Sequence, residues 1–163
     1  MKVFITGGTG FIGSHLARRL AAEGHTLRCL ARPTSRTDDL RALGAEIITA
    51  DMHDRAALVR AMRGCDWVFH LANVYAMWHP RPEEFQQTNV EGTRCVMEAA
   101  LEAGVGKVVY LSTVAVLGKP AERPFNEDSR PGARPFSAYG RSKAEGDRLV
   151  QQMVRERGLP AVT

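Results

Sequence analysis

The chain has 163 residues, of which 44% are hydrophobic and 25% are charged, and its formal net charge at pH 7 is +4. This length and composition predict one globular domain, and the scattered basic residues argue against a nucleic-acid or membrane partner. No apolar run approaches about 20 residues, so no transmembrane helix is expected. Cys29, Cys65 and Cys95 are far apart, which fits reduced thiols in a cytoplasmic protein and gives no metal-binding spacing.

Short apolar runs along the chain predict the strands of a sheet. The runs are continuous rather than alternating, which is typical of strands covered on both faces, as in parallel sheets. In chain order they are Val3–Ile5, Leu27–Leu30, Ile47–Ile48, Trp67–Phe69 and Val108–Leu111.

Helical periodicity fills the intervals between these runs. Ile12, Leu16 and Leu20 repeat at four-residue spacing, and two longer helices are predicted over about 83–103 and 138–157. With a long loop at 118–136 before the last helix, this order predicts an α/β fold with a doubly wound parallel sheet of Rossmann type.

The last residues, GLPAVT, look like a strand that is just beginning. In a parallel sheet it would lie beside the strand at 108–112 and cover an edge that is otherwise exposed and apolar. We therefore expect residues 1–163 to be the N-terminal domain of a longer protein whose C-terminal substrate part is absent, or an unusually short relative.

The stretch TGGTGFIG follows the first predicted strand and precedes a helix. It fits two glycine templates: Gly8, Gly10 and Gly13 form G-x-G-x-x-G, and Gly7, Gly10 and Gly13 form G-x-x-G-x-x-G. In this context the loop predicts a dinucleotide site, because glycines let the backbone approach a pyrophosphate and the helix N-terminus supplies free N–H groups. The alternative is a glycine-rich turn without a ligand.

The end of the second predicted strand bears on which dinucleotide would bind. In NAD sites an acidic residue at this place bonds the ribose 2′-hydroxyl, but here the chain has Ala31 and Arg32, and no carboxylate occurs before Asp38. Arg32, with Arg36 nearby, suits a 2′-phosphate. The sequence therefore favours NADP, with NAD possible, unless the two arginines are only solvated loop charges.

Asp51, after the third predicted strand, is placed to meet the adenine amino group. It could equally cap the helix that begins near Arg55, although Asp54 is the better candidate for that cap.

Two pairs of polar residues late in the chain suggest a catalytic site. Tyr139 and Lys143 are four residues apart on a predicted helix and share one face. A neighbouring ammonium lowers a tyrosine pKa from its reference value of about 10. Ser112 and Thr113 end the fifth predicted strand, where ligands bind in parallel sheets. Taken singly, the first pair could be a surface pair and the second a backbone cap.

Together these stretches resemble the extended short-chain dehydrogenase/reductase superfamily, the NAD(P)-dependent epimerase/dehydratase group, over nearly the whole chain. The similar motifs are TGGTGFIG, DMHD, HLAN, TNVEGT, LSTVAVLG and YGRSK. Asn73 stands where the family usually has alanine, and Leu117 where it usually has tyrosine. The LARPTSR and TVAVLG stretches look closer to dihydroflavonol-reductase-like and steroid-dehydrogenase-like members, or to hopanoid-associated epimerase-like ones.

The resemblance implies a role for each matching residue. Tyr139 would be the general acid/base, Lys143 would hold the nicotinamide ribose and lower the tyrosine pKa, and Thr113 would position the substrate oxygen. Ser112 lies beside Thr113, and Asn89 would support the hydrogen-bond network. The expected cofactor-binding residues are Gly7, Gly10, Phe11, Ile12, Gly13, Arg32, Arg36, Asp51, Met52, Leu71, Ala72, Asn73, Tyr139 and Lys143.

The resemblance also implies a reaction: hydride transfer at an alcohol or ketone carbon of a small molecule, such as a nucleotide sugar or a flavonoid-like or steroid-like compound. Epimerase, dehydratase and reductase remain open, and the competing hypothesis is a non-catalytic NADP-binding module. An aromatic loop with Tyr75, Met77 and Trp78 could line a substrate pocket or simply pack. The helices at 83–103 and 138–157 could form a homodimer interface, as in the family, or only cover the sheet.

Overall fold

The computed structural model describes residues 1–76, 78–121, 124–129, 132 and 137–163. Within these residues, six parallel strands form one sheet in the order β3-β2-β1-β4-β5-β6. The strands are β1 (Lys2–Thr6), β2 (Thr26–Ala31), β3 (Glu46–Thr49), β4 (Trp67–His70), β5 (Lys107–Tyr110) and β6 (Ala161–Val162). This order is that of a doubly wound Rossmann sheet, which confirms the predicted fold class.

The helices lie between the strands, as the sequence predicts. They are α1 (Phe11–Ala22), α2 (Asp38–Ala42), α3 (Arg55–Met62), α4 (Glu83–Gln86), α5 (Thr93–Ala103) and α6 (Ala138–Arg157). A π-helical segment, Gln87–Gly92, joins α4 to α5 with helical dihedral angles at both junctions. The predicted helices at 83–103 and 138–157 are therefore confirmed, the first with a π-helical insertion.

Local caps fix where two of these helices begin. The Asp54 side chain accepts a hydrogen bond of 2.9 Å from the Ala57 amide and caps α3. Ser137 accepts one of 3.0 Å from the Gly140 amide and caps α6. Each such cap contributes about 1 kcal/mol. The cap of α3 is thus Asp54, which leaves Asp51 available for another role.

The core has one part on each face of the sheet. Val3 and Ile5 of β1 point to the side covered by α1 and α2, whereas Phe4 points to the side covered by α3, α5 and α6. This two-sided burial explains why the strands are continuous apolar runs. The apolar faces of α5 and α6 pack against the sheet, and the homodimer stays a prediction.

At the β5–β6 edge of the sheet, the structure confirms one predicted strand and corrects the predicted end of another. β6 pairs with β5 through Val108 opposite Ala161 and Val109 opposite Val162, which confirms the strand predicted in GLPAVT. β5 ends at Tyr110, so Ser112 and Thr113 lie just beyond the strand rather than at its last positions. Met77 and part of the predicted loop at 118–136 lie outside the described residues.

None of the helices in the described ranges has both the length and the apolar character needed to cross a bilayer.

Candidate functional site

A cleft of about 920 Å³ opens at the carboxyl end of the sheet. The chain turns away in opposite directions from β1 and β4 here, and such a switch point is where doubly wound sheets bind ligands. The predicted site residues that line it are Gly7, Gly10, Phe11, Ile12, Gly13, Arg32, Asp51, Met52, Leu71, Ala72, Asn73, Ser112, Thr113 and Tyr139.

Three predicted residues do not line this cleft. Arg36 is exposed on the turn after β2, outside the lining. Lys143 and Asn89 are buried behind the cleft wall, where they contact residues that do line it. The predicted cofactor contact of Arg36 and the predicted roles of Lys143 and Asn89 stay predictions, with Arg36 outside the lining and the other two residues behind it.

The glycine loop has the conformation that the second template requires. Gly7 has φ +75°, and a Cβ there would lie 2.7 Å from the Ala72 amide nitrogen. A Cβ on Gly13 would overlap the Gly7 carbonyl oxygen, which also accepts a 3.0 Å hydrogen bond from the Gly10 amide. Gly8, by contrast, has room for a side chain at 3.4 Å. The fold of the loop thus requires glycine at Gly7 and Gly13, whereas Gly10 contributes its amide to the turn.

The N-terminus of α1 faces the cleft with its backbone uncovered. Gly10 is the N-cap and supplies no side chain to the first-turn amides, and no acidic residue lies in that turn. Free N–H groups at a helix N-terminus attract phosphate oxygens. This uncovered helix start and the side-chain-free wall of the loop fit the pyrophosphate of a dinucleotide.

Arg32 and Ser35 line the cleft beside β2. The Ser35 amide donates a 3.0 Å hydrogen bond to the Arg32 carbonyl oxygen, which closes a turn that brings both residues to the same wall. The arginine is exposed, and Ala31 occupies the last position of the strand. This corner therefore offers a cation and a hydroxyl to a ligand.

At the end of β3, Asp51 is held by the residue two positions on. Its Oδ1 accepts hydrogen bonds from the His53 amide at 2.8 Å and from His53 Nδ1 at 2.7 Å. The backbone bond, followed by the side-chain bond, holds the pKa of Asp51 below its usual range.

Tyr139 lines the opposite part of the cleft and is only 8% exposed. Its ring stands edge to face with Tyr75 at 5.2 Å between centroids. Burial raises the pKa of Tyr139, and hydrogen bonding with the Thr113 side chain partly opposes the shift. The phenol is therefore protonated at neutral pH.

Lys143 directs its ammonium to Tyr110 and Leu111, and its predicted effect on the pKa of Tyr139 stays a prediction. Its Nζ donates to the Tyr110 hydroxyl at 3.1 Å and to the Leu111 carbonyl oxygen at 2.6 Å, and lies 4.4 Å from the centroid of the Tyr110 ring. Burial lowers the pKa of Lys143 to about 8, with the charge of Asp147 opposing. The ammonium is thus engaged behind the site.

Two polar atoms in the cleft wall lack a partner among the described residues. They are Asn73 Oδ1 and Ser112 Oγ, both buried. Asn73 Nδ2 donates to the Leu71 carbonyl oxygen at 3.0 Å, which holds the side chain in place. A buried polar group without a partner costs about 1–3 kcal/mol, so both atoms are suited to a polar ligand group. Thr113, by contrast, accepts from the Ala115 amide at 3.3 Å.

Buried side chains beneath the cleft link β1, the strand that precedes the glycine loop, to α6. His70 Nδ1 lies 2.7 Å from Thr6 Oγ1, and His70 Nε2 lies 2.9 Å from Thr93 Oγ1. Thr93 donates to the Asn89 carbonyl oxygen, and Asn89 Nδ2 donates to Ser142 Oγ, each at 2.9 Å. Asn89 also bonds the Val74 backbone through both of its side-chain atoms. This arrangement fits the supporting role that the resemblance implies for Asn89.

Sequence reasoning missed several residues of the cleft. Ser35 and His53 stand inside quoted motifs, LARPTSR and DMHD, where their polar side chains were the available signal. Tyr75 was recognised only as part of an aromatic loop. No described group of three His, Cys, Asp or Glu side chains is placed to hold a metal ion. The lining residues that were not predicted as site residues are Thr9, Leu30, Ala31, Ser35, Ala50, His53, Val74, Tyr75, His79, Glu84, Thr88 and Leu111.

Comparison with known proteins places this cleft in a wider group. The model of the NAD dependent epimerase/dehydratase family matches residues 3–163. A Synechocystis protein named "Putative dihydroflavonol 4-reductase" is 37% identical over 142 residues, which are 86% of this chain and 41% of that protein. The UDP-glucose 4-epimerase of Streptomyces lividans is 32% identical over 167 residues, which are 99% of this chain and 50% of that protein.

A solved structure is also similar to this chain. The crystal structure of DesIV, a dTDP-glucose 4,6-dehydratase from Streptomyces venezuelae with NAD bound, superposes with a TM-score of 0.88 at 30% identity. The match covers 99% of this chain and 54% of that one. The chain therefore spans about half the length, or less, of the proteins it matches here.

Proposed function

The chain belongs to the NAD dependent epimerase/dehydratase family, and we propose that it binds an NAD(P) dinucleotide, preferring NADP, and moves a proton at a substrate alcohol or ketone through Tyr139. One observation carries the proposal. The glycine loop and the Ser112, Thr113 and Tyr139 side chains line the same cleft. A dinucleotide held on the loop and a substrate oxygen at the phenol would therefore share one cleft.

When bound, the dinucleotide would supply or accept the hydride. The chain itself handles the proton. Tyr139 is protonated at neutral pH because burial raises its pKa, so its hydroxyl can donate to the oxygen of a carbonyl substrate as negative charge develops there. Thr113 and Ser112 offer further hydroxyls to that oxygen.

The corner at Arg32 and Ser35 supports a preference for NADP. A guanidinium and a hydroxyl at the end of β2 suit a 2′-phosphate, and no carboxylate stands at the strand end to bond a free 2′-hydroxyl. A charged hydrogen bond contributes about 1.5–3 kcal/mol. We therefore expect Arg32→Ala to weaken NADP binding by roughly 10- to 100-fold and NAD binding little. Calorimetry with both ligands would refute the preference if NAD bound more tightly to the wild type.

Turnover is tested with Tyr139→Phe on a panel of ketones that includes keto derivatives of nucleotide sugars and flavonoid-like and steroid-like ketones. At saturating NADPH, so that any change in cofactor affinity does not enter the comparison, loss of the proton donor should slow nicotinamide oxidation by about 10²- to 10⁴-fold. Equal rates in both proteins would contradict the role of Tyr139. Tight NADP binding without turnover of any compound would favour the alternative, a non-catalytic binding module.

A further inference from the structure

His53 lies between two hydrogen-bond acceptors. Its Nδ1 is 2.7 Å from Asp51 Oδ1, and its Nε2 is 3.0 Å from the Gln87 carbonyl oxygen. Neither a carboxylate nor a carbonyl oxygen can donate, and a neutral imidazole carries only one N–H. Both bonds are therefore complete only when the ring is an imidazolium.

These bonds join the end of β3 to the π-helical segment. Asp51, Met52 and His53 all line the cleft, and Gln87 begins the segment. Beside the bond between His53 and Gln87, Met52 packs closely on Gly92, and a Cβ added to Gly92 would overlap the Met52 methyl group. The loop at 51–53 is thus attached to the helix at two neighbouring points.

The attachment matters for Asp51 because little else restrains that side chain. It is 73% exposed, and its Oδ1 is taken by the amide and the ring of His53. Its second oxygen, Oδ2, is left for a donor from the cleft. Without the His53 ring, only the backbone amide bond would hold Oδ1, so the carboxylate would rotate more freely and ligand binding would have to fix its rotamer.

We propose, building on the proposed dinucleotide function, that His53 is a positioning residue for the nucleotide base: its imidazolium holds Asp51 so that the carboxylate accepts from the 6-amino group of adenine. The affinity for the dinucleotide then follows the protonation of His53. Releasing one side chain from a fixed rotamer changes affinity by roughly two- to tenfold.

The charges around the ring give the direction of the pH dependence. The Gln87 carbonyl, the Asp51 carboxylate and the more distant Glu91 favour the imidazolium, and partial burial opposes it, so that the pKa of His53 is raised above 6.5. The two bonds are complete below pH 6.5 and are lost as the pH rises through that higher pKa. The affinity should fall over the same interval.

The test is calorimetry of NADP⁺ binding between pH 6 and pH 9 with wild type, His53→Gln and His25→Gln. Glutamine is neutral throughout, so His53→Gln should bind weakly at every pH, and wild type should approach it as the pH rises. The 2′-phosphate itself titrates near about pH 6, which affects all proteins equally, so the difference between them is the readout. His25 also faces a carboxylate, Glu23 at 3.8 Å, but it precedes the amino end of β2 and does not line the cleft, so its variant should match wild type.

The hypoxanthine analogue of NADP⁺, which has no 6-amino group, separates positioning of Asp51 from general support of the loop. His53→Gln should weaken NADP⁺ binding but leave the analogue unchanged. An equal loss with both ligands, or no pH-dependent difference between wild type and His53→Gln, would overturn the inference while the dinucleotide function stands. Failure of wild type to bind NADP⁺ or NAD⁺ at all would overturn both.

Discussion

Replacing Gly10 with alanine should weaken NADP binding, whereas replacing Gly13 with alanine should lower stability, although both glycines belong to the same loop. The N-cap Gly10 has φ −81° and ψ 173°, which any residue adopts, and the nearest atom to a Cβ there is the Gly7 carbonyl oxygen at 3.3 Å. A Cβ on Gly13 would instead overlap that oxygen and lie 2.8 Å from the Gly7 carbonyl carbon. The first variant should keep wild-type stability, and the second should be destabilised.

The sizes of the two effects follow from the atoms that surround the added methyl group in each variant. Overpacking costs typically about 1–3 kcal/mol, and the upper end applies at Gly13 because backbone atoms must move. Alanine returns at most about 1 kcal/mol of helix propensity, which leaves a net loss of about 2 kcal/mol. For a domain of this size that lowers Tm by roughly 4–8 °C. At Gly10 the methyl group would enter the cleft and obstruct a charged hydrogen bond to phosphate, which lowers NADP affinity by roughly 10- to 100-fold.

Thermal melts and calorimetry on the two variants, with Gly24→Ala as the control, measure both quantities. Gly24 has φ +77° and no atom within 4 Å of an added Cβ, and it lies outside the cleft. Its alanine variant should lose about 1–2 kcal/mol of stability through backbone strain alone and keep its affinity. Wild-type melting of Gly13→Ala, or wild-type affinity of Gly10→Ala, would refute the geometric reasoning.

Two further predictions concern pH. Burial lowers the pKa of His70 to about 3, so the unfolded chain binds a proton that the folded chain does not, and stability should fall as the pH drops from about 6.5 towards 3 by up to about 1.4 kcal/mol per unit. Urea denaturation should show a shallower decline for His70→Gln, and equal slopes would contradict a neutral His70. The pKa of Lys143, lowered from 10.5 to about 8, makes the buried ammonium unfavourable, so stability should rise with pH between these values. Lys143→Met should lack this rise, and the same slope in both proteins would show that Lys143 is not the cause.

The glycine loop and the strands could be predicted because their causes are local. The continuous run Val3–Ile5 needs only neighbours on both faces of a sheet, and the spacing of Gly7, Gly10 and Gly13 is fixed by a turn of eight residues. Even the two-residue strand β6 followed from its apolar residues and its place after a long helix.

The partners of buried polar groups could not be predicted in the same way, because they depend on register between distant elements. Lys143 was expected to act on Tyr139, four residues away, but its ammonium reaches Tyr110, 33 residues away. That choice is set by how α6 lies on β5. The contact of His53 with Gln87, 34 residues on, depends likewise on the π-helical insertion, for which the periodicity of 83–103 gave no sign.

The pKa values of Tyr139 and Lys143 shift in opposite directions, and these shifts determine whether the protein prepares Tyr139 as an acid or as a base. Burial raises the pKa of the phenol and lowers that of the ammonium, so both groups favour their neutral forms. The matrix therefore prepares Tyr139 as an acid for a carbonyl substrate, and does not by itself prepare it as the base that alcohol oxidation needs. Hydrogen bonding with Thr113 opposes the shift, so we expect the capacity of Tyr139 to act as a base to depend on that hydroxyl and on positive charge brought into the cleft by a ligand.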